Sequence, residues 1–136
     1  RRLGPGPAPA PIEVRAVEGD ALPLADGEAD AVVGTLVLCT VADPMAVLAE
    51  VRRVLRPGGT YTFLEHVAAE ERPDRLRWQH RVDPLWHRLM GGCHLTRRTA
   101  DLIAAAGFEV ADLSRESARK TSPLLRATVR GHAMRP

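Results

Sequence analysis

Two neighbouring residues, Glu65 and His66, are the candidates for acid–base chemistry in this chain of 136 residues. They follow Thr60–Leu64, a run rich in strand-forming residues. An imidazole has a pKa near neutrality, so it can take a proton from a thiol or hydroxyl group at physiological pH. We therefore predict His66 as the catalytic base. A strand-end histidine with satisfied hydrogen bonds is the structural alternative.

The two cysteines of the chain, Cys39 and Cys93, lie far apart in sequence. Neither has neighbouring histidines or cysteines at the spacing of a structural zinc site, so the sequence predicts no metal site. A buried cysteine usually behaves as a small apolar side chain, which is our interpretation of Cys39. A reducing compartment fits this use of cysteine, and we expect a cytoplasmic location.

The first half of the chain has the pattern of an α/β sheet. Ile12–Val17 alternates apolar and polar residues as a strand does, and Asp30–Leu38 is the nearly continuous apolar run of a strand covered on both faces. Asp43 and Pro44 then form an N-cap and a first helical residue. The helix ends at Arg56–Gly59, before the strand Thr60–Leu64. This order predicts a right-handed crossover unit.

The second half predicts further helices and strands. Residues 74–90 have a helical pattern that Asp83 and Pro84 interrupt, so we expect a kinked or broken helix. Thr96 is the predicted N-cap of the next helix, which Gly107 ends. Strands are predicted over 108–113 and, as an antiparallel neighbour, over 124–134. Residues 1–11 are rich in Pro and Gly and read as a linker, which leaves residues 12–136 as one domain.

Composition excludes several classes of function. The net charge is +2, and the basic excess of the second half is spread singly along the chain, so we predict no nucleic-acid binding. No apolar run approaches the length of a membrane span, and no signal peptide opens the chain. The oligomeric state is left open.

Several motifs resemble a known family. The segments Glu18–Leu24, Glu50–Gly59 and Ala105–Phe108, in this order, resemble the class I S-adenosylmethionine-dependent methyltransferases, in the group called methyltransferase type 11. More narrowly, five further segments are similar to the methyltransferase-like 7 thiol methyltransferases and their bacterial relatives. These segments are Thr35–Cys39, Glu65–Val67, Trp78–Gln79, Asp83–Trp86 and Gly92–Arg97.

The resemblance implies a Rossmann-like sheet of seven strands in the order 3-2-1-4-5-7-6, with strand 7 antiparallel. Strands 3 to 7 would be present here. The chain contains no Gly-x-Gly-x-Gly loop of the kind that follows strand 1, so we expect it to be the carboxy-terminal part, a fragment, of a methyltransferase domain. Strands 1 and 2 would be absent. Strand 3 would then have no neighbour, because strands 2 and 1 separate it from strand 4 in this order.

The resemblance also implies the site. S-adenosylmethionine would be the cofactor, with Asp20 accepting from the adenine amino group and the Ala21 N–H donating to the ring. Thr35 and Leu36 would pack against the methionine part of the cofactor. A turn aspartate and plain strand core are the structural alternatives for these positions. The acceptor would be a small, apolar molecule, with a thiol as the narrower expectation.

Two other functions compete with this one. A remnant of the fold without catalytic activity would serve as an interaction module, and the missing glycine-rich loop is what favours it. A nicotinamide-dependent dehydrogenase shares the α/β pattern, but the chain has no nucleotide fingerprint. It also has no Tyr-x-x-x-Lys pair, because Glu65 stands four residues after Tyr61.

Overall fold

The computed structural model describes residues 11–14, 21–117 and 127–136 of the chain. Seven elements follow one another along these residues. They are β1 (Ala29–Thr35), α1 (Pro44–Val54), β2 (Leu55–His66), α2 (Pro73–Leu89), α3 (Thr99–Ala105), β3 (Glu109–Ser117) and β4 (Ala127–Met134). Within these described stretches, no helix is both long and apolar enough to cross a membrane.

The four strands form one open sheet in the order β1-β2-β4-β3. β1 and β2 are parallel and are joined through α1, which confirms the predicted crossover unit. β4 lies antiparallel between β2 and β3, as expected for the final strand, whose residues 124–126 lie outside the described part. The α/β sheet is thus confirmed, while its numbering within a seven-stranded sheet stays a prediction.

The predicted strand over Ile12–Val17 is wrong where the structure describes it. Residues 11–14 adopt no regular structure, and the side chains of Ile12 and Val14 are 89% and 91% exposed. Residues 15–17 lie outside the described part of the chain. A strand needs a neighbour for its backbone hydrogen bonds, and β1 has no partner beyond β2 among the described strands. The alternation of apolar and polar residues in this segment does not by itself provide a neighbouring strand.

Helix α1 begins where the sequence predicts. The Oδ1 atom of Asp43 accepts hydrogen bonds from the N–H groups of Met45 and Ala46, at 2.9 and 3.0 Å. Pro44 is the first helical residue, where a missing N–H is harmless. The buried face of the helix packs over the aromatic core of the sheet. Its members are Leu48, Val51 and Val54, and the core below contains Tyr61, Phe63 and Phe108.

We expect Asp43→Ala to lower the free energy of unfolding by about 1 kcal/mol, because two N–H groups in the first turn lose their acceptor. Chemical denaturation measures this loss. Asp43→Asn is the matched control, since an asparagine caps a helix about as well as an aspartate. A denaturation midpoint that does not change in Asp43→Ala would contradict the observed helix start.

The predicted break in α2 and the predicted cap of the next helix are both wrong, while a kink at Pro84 stays a prediction. Helix α2 runs without a break through Pro84, because the proline removes one backbone hydrogen bond while the remainder of the 17-residue helix stays formed. Helix α3 begins at Thr99, and Thr96 is not its cap. The backbone before α3 is held otherwise: the Ala68 N–H donates to the Arg97 carbonyl at 3.1 Å. The predicted stop is confirmed, since Gly107 has a φ of 84°.

Candidate functional site

The carboxyl ends of β1 and β2 meet at one edge of the sheet, and the loop after β1 has an unusual conformation there. Leu36, the first residue of this loop, has a φ of 56°, in the left-handed region. That conformation costs a leucine roughly 1 kcal/mol or more, so other contacts must hold it. One of them is the Leu36 N–H, which donates to the Leu64 carbonyl of β2 at 2.8 Å.

The carboxylate of Glu65 holds the rest of this loop. Its Oε1 accepts from the N–H groups of Val37 and Leu38 at 2.9 and 3.0 Å, and its Oε2 accepts from the Cys39 N–H at 3.0 Å. The side chain is fully buried. Three consecutive backbone donors on one carboxylate form a set of charge-assisted hydrogen bonds. We call residues 36–40 the Glu65-bound loop.

A second segment, residues 92–97, holds the Glu65-bound loop from its other side. The His94 N–H donates to the Cys39 carbonyl at 2.7 Å, and the Arg97 guanidinium donates to the Leu38 carbonyl. The carbonyls of Leu38 and Cys39 are therefore bound as well as the donors of the loop. The loop is fixed from two directions before any ligand contacts it.

Helix α2 positions the segments on either side of it through two side chains one turn apart, Gln79 and Asp83. Gln79 is buried, accepts from the Ala69 N–H at 2.8 Å and donates to the Val67 carbonyl at 3.2 Å. Asp83 accepts from the Leu95 N–H at 2.5 Å, and its other oxygen lies 3.2 Å from His94 Nδ1. Residues four apart share one helix face. Asp83 therefore holds the 92–97 segment.

His66 ends β2 beside both cysteines. Its Nδ1 atom lies 3.9 Å from the Sγ of Cys39 and 3.9 Å from the Sγ of Cys93. Burial lowers the pKa of the half-buried imidazole, against the opposing charge of Glu65, so the ring is neutral at pH 7. Burial also raises the pKa of Cys39 to about 12, which leaves a protonated thiol. This agrees with our interpretation of Cys39 as a packing residue.

The structure describes three of the four other predicted site residues. Asp20 lies outside the described residues, and Ala21 is exposed. Thr35 and Leu36 lie at the end of β1 and are exposed, Leu36 by 40% of its surface, so they are not strand core. They lie on the same edge of the sheet as His66.

Two tryptophans that flank this region differ in their surroundings. Trp86 packs against the cluster of Cys39, Cys93 and Leu95, as a core residue does. Trp78 is 59% exposed and lies on the same helix. Only Trp78 is therefore free to contact a ligand through a large apolar surface.

Sequence reasoning missed the role of Glu65 as the residue that holds the loop. It also missed Cys93 as a neighbour of Cys39 and Gln79 as a link between two segments. The Glu65–His66 pair at a strand end was the signal that the sequence offered. It indicated where a site could lie but not which residues these two side chains contact. Those partners lie 26 to 28 residues earlier in the chain, beyond the range of local patterns.

Comparisons with known proteins find similarity to methyltransferases. Residues 2–63 match a family described as a methyltransferase domain. The human thiol S-methyltransferase TMT1A is 44% identical over 112 residues, which are 82% of this chain and 46% of that protein. The chain is thus similar to methyltransferases over most of its length. The rat thiol S-methyltransferase TMT1B is 48% identical to this chain over 90 residues, which are 66% of this chain and 37% of the relative.

Solved structures show the same fold. A methyltransferase from Methanosarcina mazei, dependent on S-adenosylmethionine, superposes with a TM-score of 0.66 at 20% identity, over 88% of this chain and 65% of that one. A geranyl diphosphate methyltransferase in complex with S-adenosylmethionine gives a TM-score of 0.59 at 16% identity, over 86% and 55%. The chain spans less than half the length of the curated relatives it matches.

Proposed function

We propose that this methyltransferase transfers the methyl group of S-adenosylmethionine to the sulfur of a small, apolar thiol. The observation that carries the proposal is the strained Leu36 at the carboxyl end of β1, held by the buried Glu65 carboxylate beside His66. A strained backbone that its surroundings hold in place is typical of functional sites. The two relatives, named thiol S-methyltransferases, support sulfur as the acceptor atom.

The residues at this edge fit the cofactor that we propose. Thr35 and Leu36 offer exposed surface at the end of a parallel strand, where ligands of α/β sheets bind. We propose that they contact the methionine part, and that Asp20 and the Ala21 N–H contact the adenine. The sulfonium of the cofactor supplies the methyl group for an in-line displacement. Positioning and exclusion of water then provide much of the acceleration, so few catalytic residues are needed.

His66 is the residue that we propose accepts the thiol proton. Its Nδ1 faces the two cysteine sulfurs, so Nε2 is the nitrogen left for the acceptor. For Nε2 to accept, the ring proton must sit on Nδ1, where it points toward the sulfurs as weak acceptors. In this proposal Thr35, Leu36 and His66 act from the same edge of the sheet, where the parallel strands β1 and β2 end.

The test compares two thiol acceptors in the complete gene product, assayed with a metal chelator present. We expect His66→Gln to slow transfer to a thiol of high pKa by roughly 100-fold or more, and to affect a thiol already ionised at the assay pH much less. Steady-state rates with both acceptors measure the contrast.

His80→Gln is the matched control, since His80 is an exposed histidine of α2. We expect it to leave both rates unchanged. Equal slowing of the two thiols by His66→Gln would mean that His66 only maintains the shape of the site. No slowing of either thiol would remove His66 from the reaction.

A further inference from the structure

Three potential metal ligands converge where the Glu65-bound loop, the end of β2 and the 92–97 segment meet. The Sγ atoms of Cys39 and Cys93 and a ring nitrogen of His66 all lie within 4.8 Å of one another. Cys39 and His66 are 27 positions apart in sequence, and so are His66 and Cys93. This wide spacing is why the sequence predicted no metal site. We call these residues the Cys39–His66–Cys93 cluster.

The dimensions of the cluster suit a thiophilic ion. With two sides of 3.9 Å and a third of at most 4.8 Å, a point equidistant from the three atoms lies no more than about 2.5 Å from each. Zinc binds thiolate sulfur at about 2.3 Å and imidazole nitrogen at about 2.0–2.1 Å. Side-chain shifts of a few tenths of an ångström would complete the coordination.

The surroundings of the cluster also favour a cation. The Glu65 carboxylate lies directly beneath the loop, bound to the Cys39 N–H, and its negative charge acts on both Cys39 and His66. Leu95 and the partly buried Val82 and Trp86 pack against the two cysteines and keep water away. A buried anion beside two sulfur ligands and one imidazole nitrogen in an apolar shell stabilises a bound positive charge.

We propose that Cys39, His66 and Cys93 form a binding site for one thiophilic divalent metal ion, with Zn²⁺ as the representative ion. Binding displaces the proton of each cysteine thiol to solvent and forms two metal–sulfur bonds and one bond to His66 Nδ1. Two sulfurs and one nitrogen match the ligand set of known three-residue zinc sites that keep a fourth position open.

The proposed site has a consequence for His66. An imidazole that binds a metal through Nδ1 as a neutral ligand carries its proton on Nε2. In the ion-bound form His66 therefore cannot accept the thiol proton. Metal binding and the proton transfer proposed above exclude each other, and the ion would act as an inhibitor of transfer to thiols of high pKa.

The test uses Co²⁺ as a spectroscopic probe and Zn²⁺ as its competitor. The chain is first reduced with a phosphine and freed of metal by a chelator. Because it contains only two cysteines, sulfur-to-cobalt charge-transfer absorption reports on Cys39 and Cys93 alone. We expect this absorption to saturate at one Co²⁺ per chain and to disappear when one equivalent of Zn²⁺ is added.

Variants assign the ligands. Cys39→Ser and Cys93→Ser should each remove about half or more of the charge-transfer absorption, and His66→Gln should weaken Zn²⁺ binding at least tenfold while sulfur ligation persists. The control His80→Gln should bind as the wild type does. Circular dichroism checks that each variant is folded. If a cysteine variant unfolds, His66→Gln decides the test, because His66 is only half-buried and its replacement disturbs the fold less.

Absence of charge-transfer absorption in the reduced wild-type chain would overturn the proposal. So would Zn²⁺ affinity that is the same in His66→Gln and wild type. These measurements need neither S-adenosylmethionine nor an acceptor. A failure here therefore leaves the proposed methyl transfer standing, and a failure of methyl transfer leaves the metal site standing.

Discussion

Replacing Glu65 by alanine should lower the free energy of unfolding by about 3–5 kcal/mol, the largest loss we expect from a single polar side chain in this chain. The substitution leaves the N–H groups of Val37, Leu38 and Cys39 without their acceptor. The buried Leu38 and Cys39 donors each cost about 1–3 kcal/mol when they lose their partner, the exposed Val37 contributes less, and the cavity left by the fully buried side chain adds to the loss. Chemical denaturation followed by circular dichroism measures the loss.

Two further variants separate this effect from a general loss of charge. Glu28→Ala is the matched control, because the exposed Glu28 also accepts from one backbone N–H, that of Ala25. We expect a change below about 1 kcal/mol there. Glu65→Gln should give an intermediate loss of stability. The amide oxygen of glutamine can accept from two of the three N–H groups, but its NH2 group would face the third N–H and cannot accept from it. A loss for Glu65→Ala no larger than that for Glu28→Ala would contradict the role of Glu65.

Gly131→Ala should be the most damaging substitution of a glycine in the sheet, at about 3 kcal/mol or more, or should prevent folding. A Cβ atom at this position of β4 would lie 2.2 Å from the Asp112 carbonyl oxygen and 2.9 Å from Phe63 Cζ. The first of these atoms belongs to the backbone of β3, which is paired with β4 and cannot move aside without breaking the ladder. Thermal and chemical unfolding measure the effect.

Gly58→Ala provides the comparison, because a Cβ atom there would meet no other atom within 4 Å. Its φ of 78° makes an alanine strained by roughly 1 kcal/mol for conformational reasons alone. The difference between the two variants therefore isolates the steric contact between β4 and its neighbours. Equal losses would contradict the antiparallel placement of β4 between β2 and β3.

Local signals allowed part of this fold to be predicted. The start of α1 depends on Asp43 and Pro44, which act on the first turn of the same helix, so no distant residue is needed. The stop at Gly107 is equally local, since it reflects the conformational freedom of one residue. The strand over Thr60–Leu64 was found for the same reason, although β2 begins earlier, at Leu55.

Tertiary contacts decided the features that the sequence did not reveal. The segment before α3 is fixed by Ala68 across the fold, and this overrides the capping signal of Thr96. The Cys39–His66–Cys93 cluster and the three hydrogen bonds of Glu65 join residues more than 25 positions apart. No pattern within a window of local sequence contains such pairs.

Some sequence predictions stay predictions. The contact of Asp20 and Ala21 with adenine and the cytoplasmic location are among them, and so is the linker role of residues 1–11. The structure gives the most detail for the edge of the sheet that contains Leu36, Glu65 and His66. The central claim is that this edge belongs to a site for transfer of a methyl group to sulfur.

One measurement tests that claim most directly. The complete gene product is incubated with S-adenosylmethionine that carries a trideuterated methyl group, together with a small apolar thiol, and the products are analysed by mass spectrometry. We predict one trideuterated methyl group on the thiol sulfur, formed at a rate that falls at least tenfold when Glu65→Ala loosens the loop at the strand ends. Bound cofactor with no labelled methyl group on any thiol, or label only on carbon or oxygen acceptors, would contradict it.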